Sequence, residues 1–406
     1  MTLAIFEKYP SYQAVIGIEV HVQLNTKTKI FCSCKNEISS SPNTNIDVIC
    51  CGYPGTLPVL NEEVVNYAIM AGIATNCTIN EHNEFARKHY FYADLPKGYQ
   101  ITQADKPICS NGYVEIITED GLKKKIRIER IHMEEDAGKN IHAGNNVSLV
   151  DYNRAGTPLL EIVTKPDIAS SFEARAYLKE LHAIVTSIGI CSGNMEEGAF
   201  RGDANVSVKK KDAEKLGTKC ELKNINSFKF IGDAVDFEIE RQIEALESGQ
   251  KIKQQTRLWD TKNKETFVMR EKEIADDYRY IPDPDLPPLH ITKEKIEECK
   301  KNLPELPQAK KQRFMEVLQL SEYDANVIVD NKELCVYFEQ IVKKNSDIST
   351  KLISNWLLRD INALVKEHNI LFAELKFTPD HFVDLLLLIK IFDDLCIQVY
   401  ILFFLI

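Results

Sequence analysis

Four short segments place carboxylates where carboxylates are expensive: GIEVH at 17–21, HMEEDAGK at 132–139, PLLEIV at 158–163 and RGDANVSV at 201–208. In the first, Ile18, Val20, Val22 and Leu24 alternate with Glu19, His21 and Gln23, the period of a half-buried strand, so Glu19 and His21 point the same way. In the last, Ala204, Val206 and Val208 alternate with Asp203, Asn205 and Ser207, again gathering the oxygen-bearing side chains on one face. Glu161 has no polar stripe, because Leu159, Leu160, Ile162 and Val163 surround it. Such a carboxylate must shift its pKa or find a charged partner. The run Glu134, Glu135, Asp136 ends at Ala137-Gly138, a strand-to-turn boundary. Two carboxylates about 4 Å apart repel by roughly 4 kcal/mol at an effective dielectric near 20. A divalent cation removes that cost, and oxygen ligation with at most one imidazole suits magnesium or manganese better than zinc. Magnesium in turn points to a phosphate-bearing substrate.

These segments need a scaffold. Alternation at 14–24, 113–133, 158–163 and 203–209 predicts strands, interrupted by helical patterns. One helix is expected from Ser171 to Ser187, with Ala174, Tyr177, Leu178, Leu181 and Ile184 at helical spacing after a capping serine, and another over 228–248. Strands and helices in this irregular order predict an α+β fold with a large, mostly antiparallel sheet over residues 1–290. The stretch IPDPDLPPL at 281–289 punctuates its end. A helical domain is expected over 291–385, broken once by LPELP at 303–307, with Leu352, Ile353, Trp356, Leu357, Ile361 and Leu364 on one apolar face. Thr378-Pro379 reads as a helix start. Residues 386–406 form an atypical apolar tail, which Lys390, Asp393 and Asp394 interrupt, so no membrane span is expected.

The 406 residues, 44% hydrophobic and 27% charged, describe a globular protein of more than one domain. A net charge of −10 argues against a protein that coats nucleic acid and confines any RNA contact to a local basic groove. The start, MTLAIFEKYPSYQAVIGIEV, lacks the pattern of a signal or transit peptide. The eleven cysteines therefore read as reduced thiols in a cytoplasmic protein.

Taken together, IGIEVHVQL at 16–24, YPGTLPVLN at 53–61, RKHYFYADLPKGYQITQ at 87–103, HMEEDAGK at 132–139, LVDYNRAGTPLLEIV at 149–163, MEEGAFRGDANVSV at 195–208, ELKNINSF at 221–228 and DDYRYIPDPDLPPL at 276–289 resemble the GatB family. These are the B subunits of aspartyl/glutamyl-tRNA amidotransferases, and the resemblance covers roughly residues 12–385. It implies a glutamine-synthetase-like cradle domain followed by a helical domain. The activity it implies is phosphorylation of the side-chain carboxylate of glutamate or aspartate on a misacylated tRNA, with ATP and Mg2+. Ammonia, released from glutamine by an amidase (A) subunit, then displaces phosphate; a small C subunit completes the complex.

By the same resemblance Glu19, His21, Glu135, Glu161 and Asp203 are metal-site residues, with Glu134 an alternative to Glu135 that spacing cannot separate. Lys88 is expected at the ammonia passage or the aminoacyl end of the site, and Arg87, Arg201 and Arg257 as phosphate or RNA contacts. The chain has no G-x-x-x-x-G-K-[ST] loop, so ATP is not expected to be held in P-loop fashion. Nor does it show a nucleophile arrangement for glutamine hydrolysis; the serines at 39–41 read as a surface loop.

Two departures from the family pattern stand out. Many members carry a zinc site of C-x-C followed by C-x-x-C. Here Cys32 and Cys34 supply the first pair and Asp47, Cys50 and Cys51 replace the second, leaving three thiolates with Asp47 or Cys51 as a structural tetrahedral site. The family's small helical tail domain is missing, and the residues from about Ile391 are unlike the family, which suggests a truncated or frameshifted reading with weakened tRNA binding.

Overall fold

The alternation at 14–24 is realised in one long strand, β1 (Tyr12–Gln23), along which buried and half-buried residues alternate without a break. The computed structural model describes residues 2–391 apart from 38–40, 145, 224, 272–277, 345–347, 369 and 371. The apolar run from 392 onward lies outside the described residues. Eight more strands join β1 in one sheet: β2 (Thr78–Ile79), β3 (Cys109–Ile117), β4 (Lys123–Glu135), β5 (Pro158–Thr164), β6 (Phe200–Lys210), β7 (Cys220–Lys223), β8 (Gln255–Asp260) and β9 (Glu265–Glu271). Their order is β2-β3-β4-β5-β1-β6-β7-β8-β9, so the sheet follows the chain except that its first strand sits in the middle. Every pairing is antiparallel except that of β7 with β8. The fold is α+β.

One face of the sheet is apolar and covered by helices. α1 (Thr2–Lys8) rests on α4 (Phe228–Glu247), α2 (Glu62–Ala74) packs on β3 and β4, and α3 (Ser171–Ser187) packs on β3 and α4. Ile18, Val20 and Val22 of β1 face this layer with Ile162, Ala204 and Val206, all essentially removed from solvent. Gly202 lies close under this layer: a Cβ would come within 3.3 Å of Leu178 and 3.5 Å of Ile231, so the Leu178 side chain would have to give by a few tenths of an ångström. Its neighbours Arg201 and Asp203 project to the other face.

Strand β4 changes parity partway along. Ile126 and Ile128 are buried while Arg127 and Glu129 are exposed. A bulge opposite Val163 and Thr164 then shifts the register, so that Arg130, His132 and Glu134 stand opposite Val163, Glu161 and Leu159. One extra residue moves every later side chain to the other face.

A helix α5 (Lys293–Lys301) packs back on α2, with Lys295 Nζ 2.9 Å from Glu62, and the first compact unit runs to Leu303. The second unit begins at Pro304 and is helical: α6 (Pro307–Glu316), α7 (Glu322–Asp330), α8 (Lys332–Lys344), α9 (Thr350–Trp356), α10 (Asn362–His368) and α11 (Pro379–Ile391). Its core contains Phe314, Phe338, Ile353, Leu357, Ile361 and Phe382. Val365, rather than the expected Leu364, continues the apolar face, because a π turn at Leu357–Ile361 adds a residue between α9 and α10. Thr378 starts α11, its hydroxyl accepting from His381 N at 3.4 Å. Among the described residues no helix is long and apolar enough to cross a membrane.

The helix layer is anchored by caps. Ser170 Oγ accepts from Glu173 N at 3.1 Å, and the Glu173 carboxylate accepts from Ala169 N at 2.7 Å and from Lys124. Ser170→Ala is expected to destabilise the first unit by about 1 kcal/mol, read as a lower urea midpoint with an unchanged m-value.

Candidate active site

Strand register assembles a cluster on the uncovered face. Arg201, His21, Glu161 and His132 form one row across β6, β1, β5 and β4. Asp203 and Glu19 stand side by side in the adjacent row, and Glu134 lies on the far side of His132, opposite Leu159. Cross-strand partners share a face, so six potential ligands from four strands converge. His21 Nε2 is 3.6 Å from both Glu19 Oε1 and Glu161 Oε2, and His132 Nε2 is 3.3 Å from Glu161 Oε2 and 3.8 Å from Glu134 Oε2. Lys223 of β7 closes one end, 2.7 Å from Asp203.

The charges respond strongly to this crowding. Burial pushes the Glu19 carboxyl up to about 7, helped by repulsion from Glu161 and only partly offset by His21. Burial opposes charge on His132, but Glu161 and Glu134 outweigh it and hold the imidazole up at about 9. His21 is likewise raised against its own burial by Glu161. Glu161, despite the same desolvation, is held well below the usual carboxylate range by the two imidazoles, and Glu134 is lowered mainly by His132.

The donor set fits a hard divalent cation. Glu134 Oε2 is buried and accepts no hydrogen bond. Ligand atoms of Glu19, His21 and Asp203 lie within 4.8 Å of one another, as do those of His21, Glu134 and Glu161. These two oxygen-rich triads share His21, a set of mostly oxygen donors that suits magnesium or manganese better than zinc.

Other predicted residues fall elsewhere. Glu135 points to the opposite face from Glu134, where its carboxylate pairs with Lys97 and accepts from Ile101 N at 2.8 Å. The bulge in β4 separates these two glutamates, placing Glu134 on the face of the cluster and Glu135 on the other. Arg257 also lies on the helix side: its guanidinium donates to Thr266 and Gln255 and sits 3.4 Å from Glu238 of α4, which commits it to the core. Arg87 pairs with Asp283 at 2.9 Å and Asp285 at 2.7 Å and stacks on Tyr99, so it fastens the proline-rich segment. Arg201 does reach the cluster's edge; one nitrogen donates to Asp136 at 2.9 Å while its buried Nε has no partner.

Lys88 comes from a short neighbouring strand, Ala86–His89. Its Nζ lies 4.8 Å from the Tyr278 ring centroid and 5.8 Å from that of Tyr90. Burial disfavours its charge, but Glu134 and Glu161 keep it protonated. His132 and Lys223 are participants that sequence reasoning missed. For His132 a signal existed, since it stands two residues before Glu134.

A second cluster lies in the loop after β1. Sγ of Cys32, Cys34 and Cys50 and a carboxylate oxygen of Asp47 all lie within 4.8 Å of one another. Cys51 is outside this group. Three sulfurs and one oxygen fit a structural zinc ion. The buried Lys29 ammonium, 3.7 Å from Cys50 Sγ, offsets part of the surplus negative charge. A hydrogen bond from Cys32 lowers the Cys50 thiol to about 6 against its burial, so it ionises readily. Expressed with zinc, the protein is expected to keep its full zinc content in Cys51→Ala and to lose one equivalent in Cys34→Ala, measured by metal analysis after dialysis.

Known proteins resemble this chain over most of its length. The family model described as GatB/GatE catalytic domain matches residues 14–297, and one described as GatB domain matches 336–391. The B subunit of the aspartyl/glutamyl-tRNA(Asn/Gln) amidotransferase of Persephonella marina is 51% identical over 378 residues, spanning 93% of this chain and 79% of that protein. Proteins of the same name from Geobacter sp. (strain M21) and Clostridium novyi are 54% identical over 383 residues and 49% over 369. The Geobacter match spans 93% of this chain and 79% of the relative, the Clostridium match 91% and 77%. With a catalytic-domain match across most of its length and half its residues identical to such relatives, the chain belongs to the GatB family.

Proposed function

We propose that this chain carries the amide-forming step of a tRNA-dependent amidotransferase, converting Glu-tRNA(Gln), Asp-tRNA(Asn) or both into the amidated forms. The observation that supports it most is the convergence of Glu19, His21, Glu134, Glu161 and Asp203 on one sheet face in a GatB-family chain. In this reading an oxygen of the substrate's side-chain carboxylate attacks the γ-phosphorus of ATP and ADP departs. Ammonia then attacks the acyl carbon of the resulting acyl phosphate, phosphate leaves, and the nitrogen gives up one proton to yield the amide.

The five residues would hold Mg2+, which when bound neutralises phosphate charge during transfer. His132 keeps Glu161 ionised and oriented. Lys88, held cationic, stands ready to attract the anionic carboxylate or acyl phosphate and steer it to the cluster. Arg201, anchored on Asp136, presents a spare N–H for a phosphate oxygen. The sheet unit is read as the cradle for this chemistry and the helical unit as the part that helps hold tRNA. Ammonia would come from an amidase (A) subunit, with a small C subunit completing a cytoplasmic complex, and the cysteine cluster would hold a structural zinc.

With the partner subunits and ammonium as nitrogen donor, ATP-dependent conversion of Glu-tRNA(Gln) is expected to fall by about a hundred-fold in Glu134→Gln. In Glu135→Gln the cation affinity is retained, and the change appears as lower stability from the freed Lys97. Absence of conversion by the wild-type chain, in a mixture where a relative is active, would leave it a non-catalytic scaffold.

The raised Glu19 carboxyl sets a pH dependence. Below about 7 it holds a proton that a cation must displace, and above it the ligand is already ionised. Mg2+ affinity should therefore weaken as pH falls from about 8 to about 6, with proton release seen by calorimetry in buffers of different ionisation enthalpy.

A further inference from the structure

Away from the acidic cluster, a two-stranded ladder joins His82–Asn83 to Leu289–His290. His82 and His290 stand directly opposite each other, and Ile291 N donates to Glu81 O at 2.8 Å in the adjacent position. The hydrogen-bonded pair is thus Glu81 with Ile291, which makes His82 and His290 a non-hydrogen-bonded pair, the kind whose side chains approach most closely. Their Nδ1 atoms are 3.3 Å apart, their ring centroids 4.7 Å, and both rings are exposed.

We propose that His82 and His290 form a binding site for a divalent transition metal, Zn2+, Ni2+ or Cu2+, that clamps the proline-rich segment to the sheet unit. Two nitrogens bound at about 2.1 Å in a tetrahedral arrangement stand about 3.4 Å apart, close to the separation already present. Imidazole pairs favour these metals over magnesium or calcium. The planes are inclined by 30° and both rings are exposed, so the side chains can turn to bring Nδ1 of each to a shared ion. Among the described residues no third His, Cys, Asp or Glu groups with the pair, and Glu84, two residues on from His82, is bound to Lys106 at 2.9 Å. Water would complete the coordination.

Placement gives the site a consequence. The two histidines are 208 residues apart in sequence, so a shared metal cross-links distant parts of the chain. Between the clamp and the acidic cluster run Ile281–Pro282, paired with Ala86 and Arg87, and the Asp283 and Asp285 carboxylates held by Arg87. Tyr278 and Tyr280, at the head of this segment, flank Lys88. Metal at the histidine pair would fix the far end of the segment that walls Lys88.

The test is calorimetric titration of the full chain with Ni2+, after loading the cysteine cluster with one equivalent of zinc and in excess Mg2+ to occupy the acidic face. One nickel event is expected in wild type and in the exposed-histidine control His368→Ala, and its loss in both His82→Ala and His290→Ala. Nickel should also raise the thermal midpoint of the wild type and leave the two variants unmoved. An undiminished nickel event in both variants overturns the proposal. If either alanine variant fails to fold, His82→Asn and His290→Asn replace them: loss of the nickel event in both supports the site, and an undiminished event in both overturns it.

Discussion

The register between β5, β1 and β6 is the constraint on which the functional face depends. It stacks Glu161 against His21 and Asp203 against Glu19, bringing together groups that repel one another and have lost much of their water. The protein answers with cations at the perimeter, His132 and Lys88 near Glu161 and Lys223 at Asp203. That answer is incomplete, since Glu134 keeps an unbonded buried oxygen and Glu19 cannot easily ionise. Such a half-satisfied network is costly in an inert core, and clusters of this kind are concentrated at functional sites. The apolar face of the same strands carries the compensating stability, in residues such as Ile18, Val20 and Ile162.

Local pattern made much of this visible in advance. Strict alternation in β1 and β6 revealed both the strands and the faces of Glu19, His21 and Asp203, because period-two patterning needs no knowledge of partners. Glu161 was visible through its apolar surroundings. The helices α3 and α4 were legible from their spacing, and α3 also from its serine cap.

What stayed hidden was set by contacts distant in sequence. Adjacent glutamates 134 and 135 are equivalent by composition; a bulge paired against β5 separates them. Arg257 looked like a phosphate contact, yet its strand lies so that it faces α4 and Glu238. Asp47 rather than Cys51 approaches the other thiols, because the Asp47 carboxylate also accepts from the Ile49 and Cys50 amides and so folds its own loop around the sulfurs. In the helical unit, a π turn shifted the core from Leu364 to Val365. Each case turns on a residue inserted or a loop folded, which spacing alone does not encode.

The central position of β1 has a consequence for how the molecule comes into being. Its neighbours are β5 and β6, both later in the chain, so β1 leaves the ribosome before either and lacks both partners until the chain has been extended past Val163 and Asp203. During that interval an apolar stripe and two open backbone edges are exposed. Non-local pairing of this kind slows folding, since loop-closure entropy is lost before the contacts that repay it are made. The strand that organises the site is thus also the one most dependent on protection during synthesis, and errors in translation downstream of it would strand it as an aggregation-prone edge.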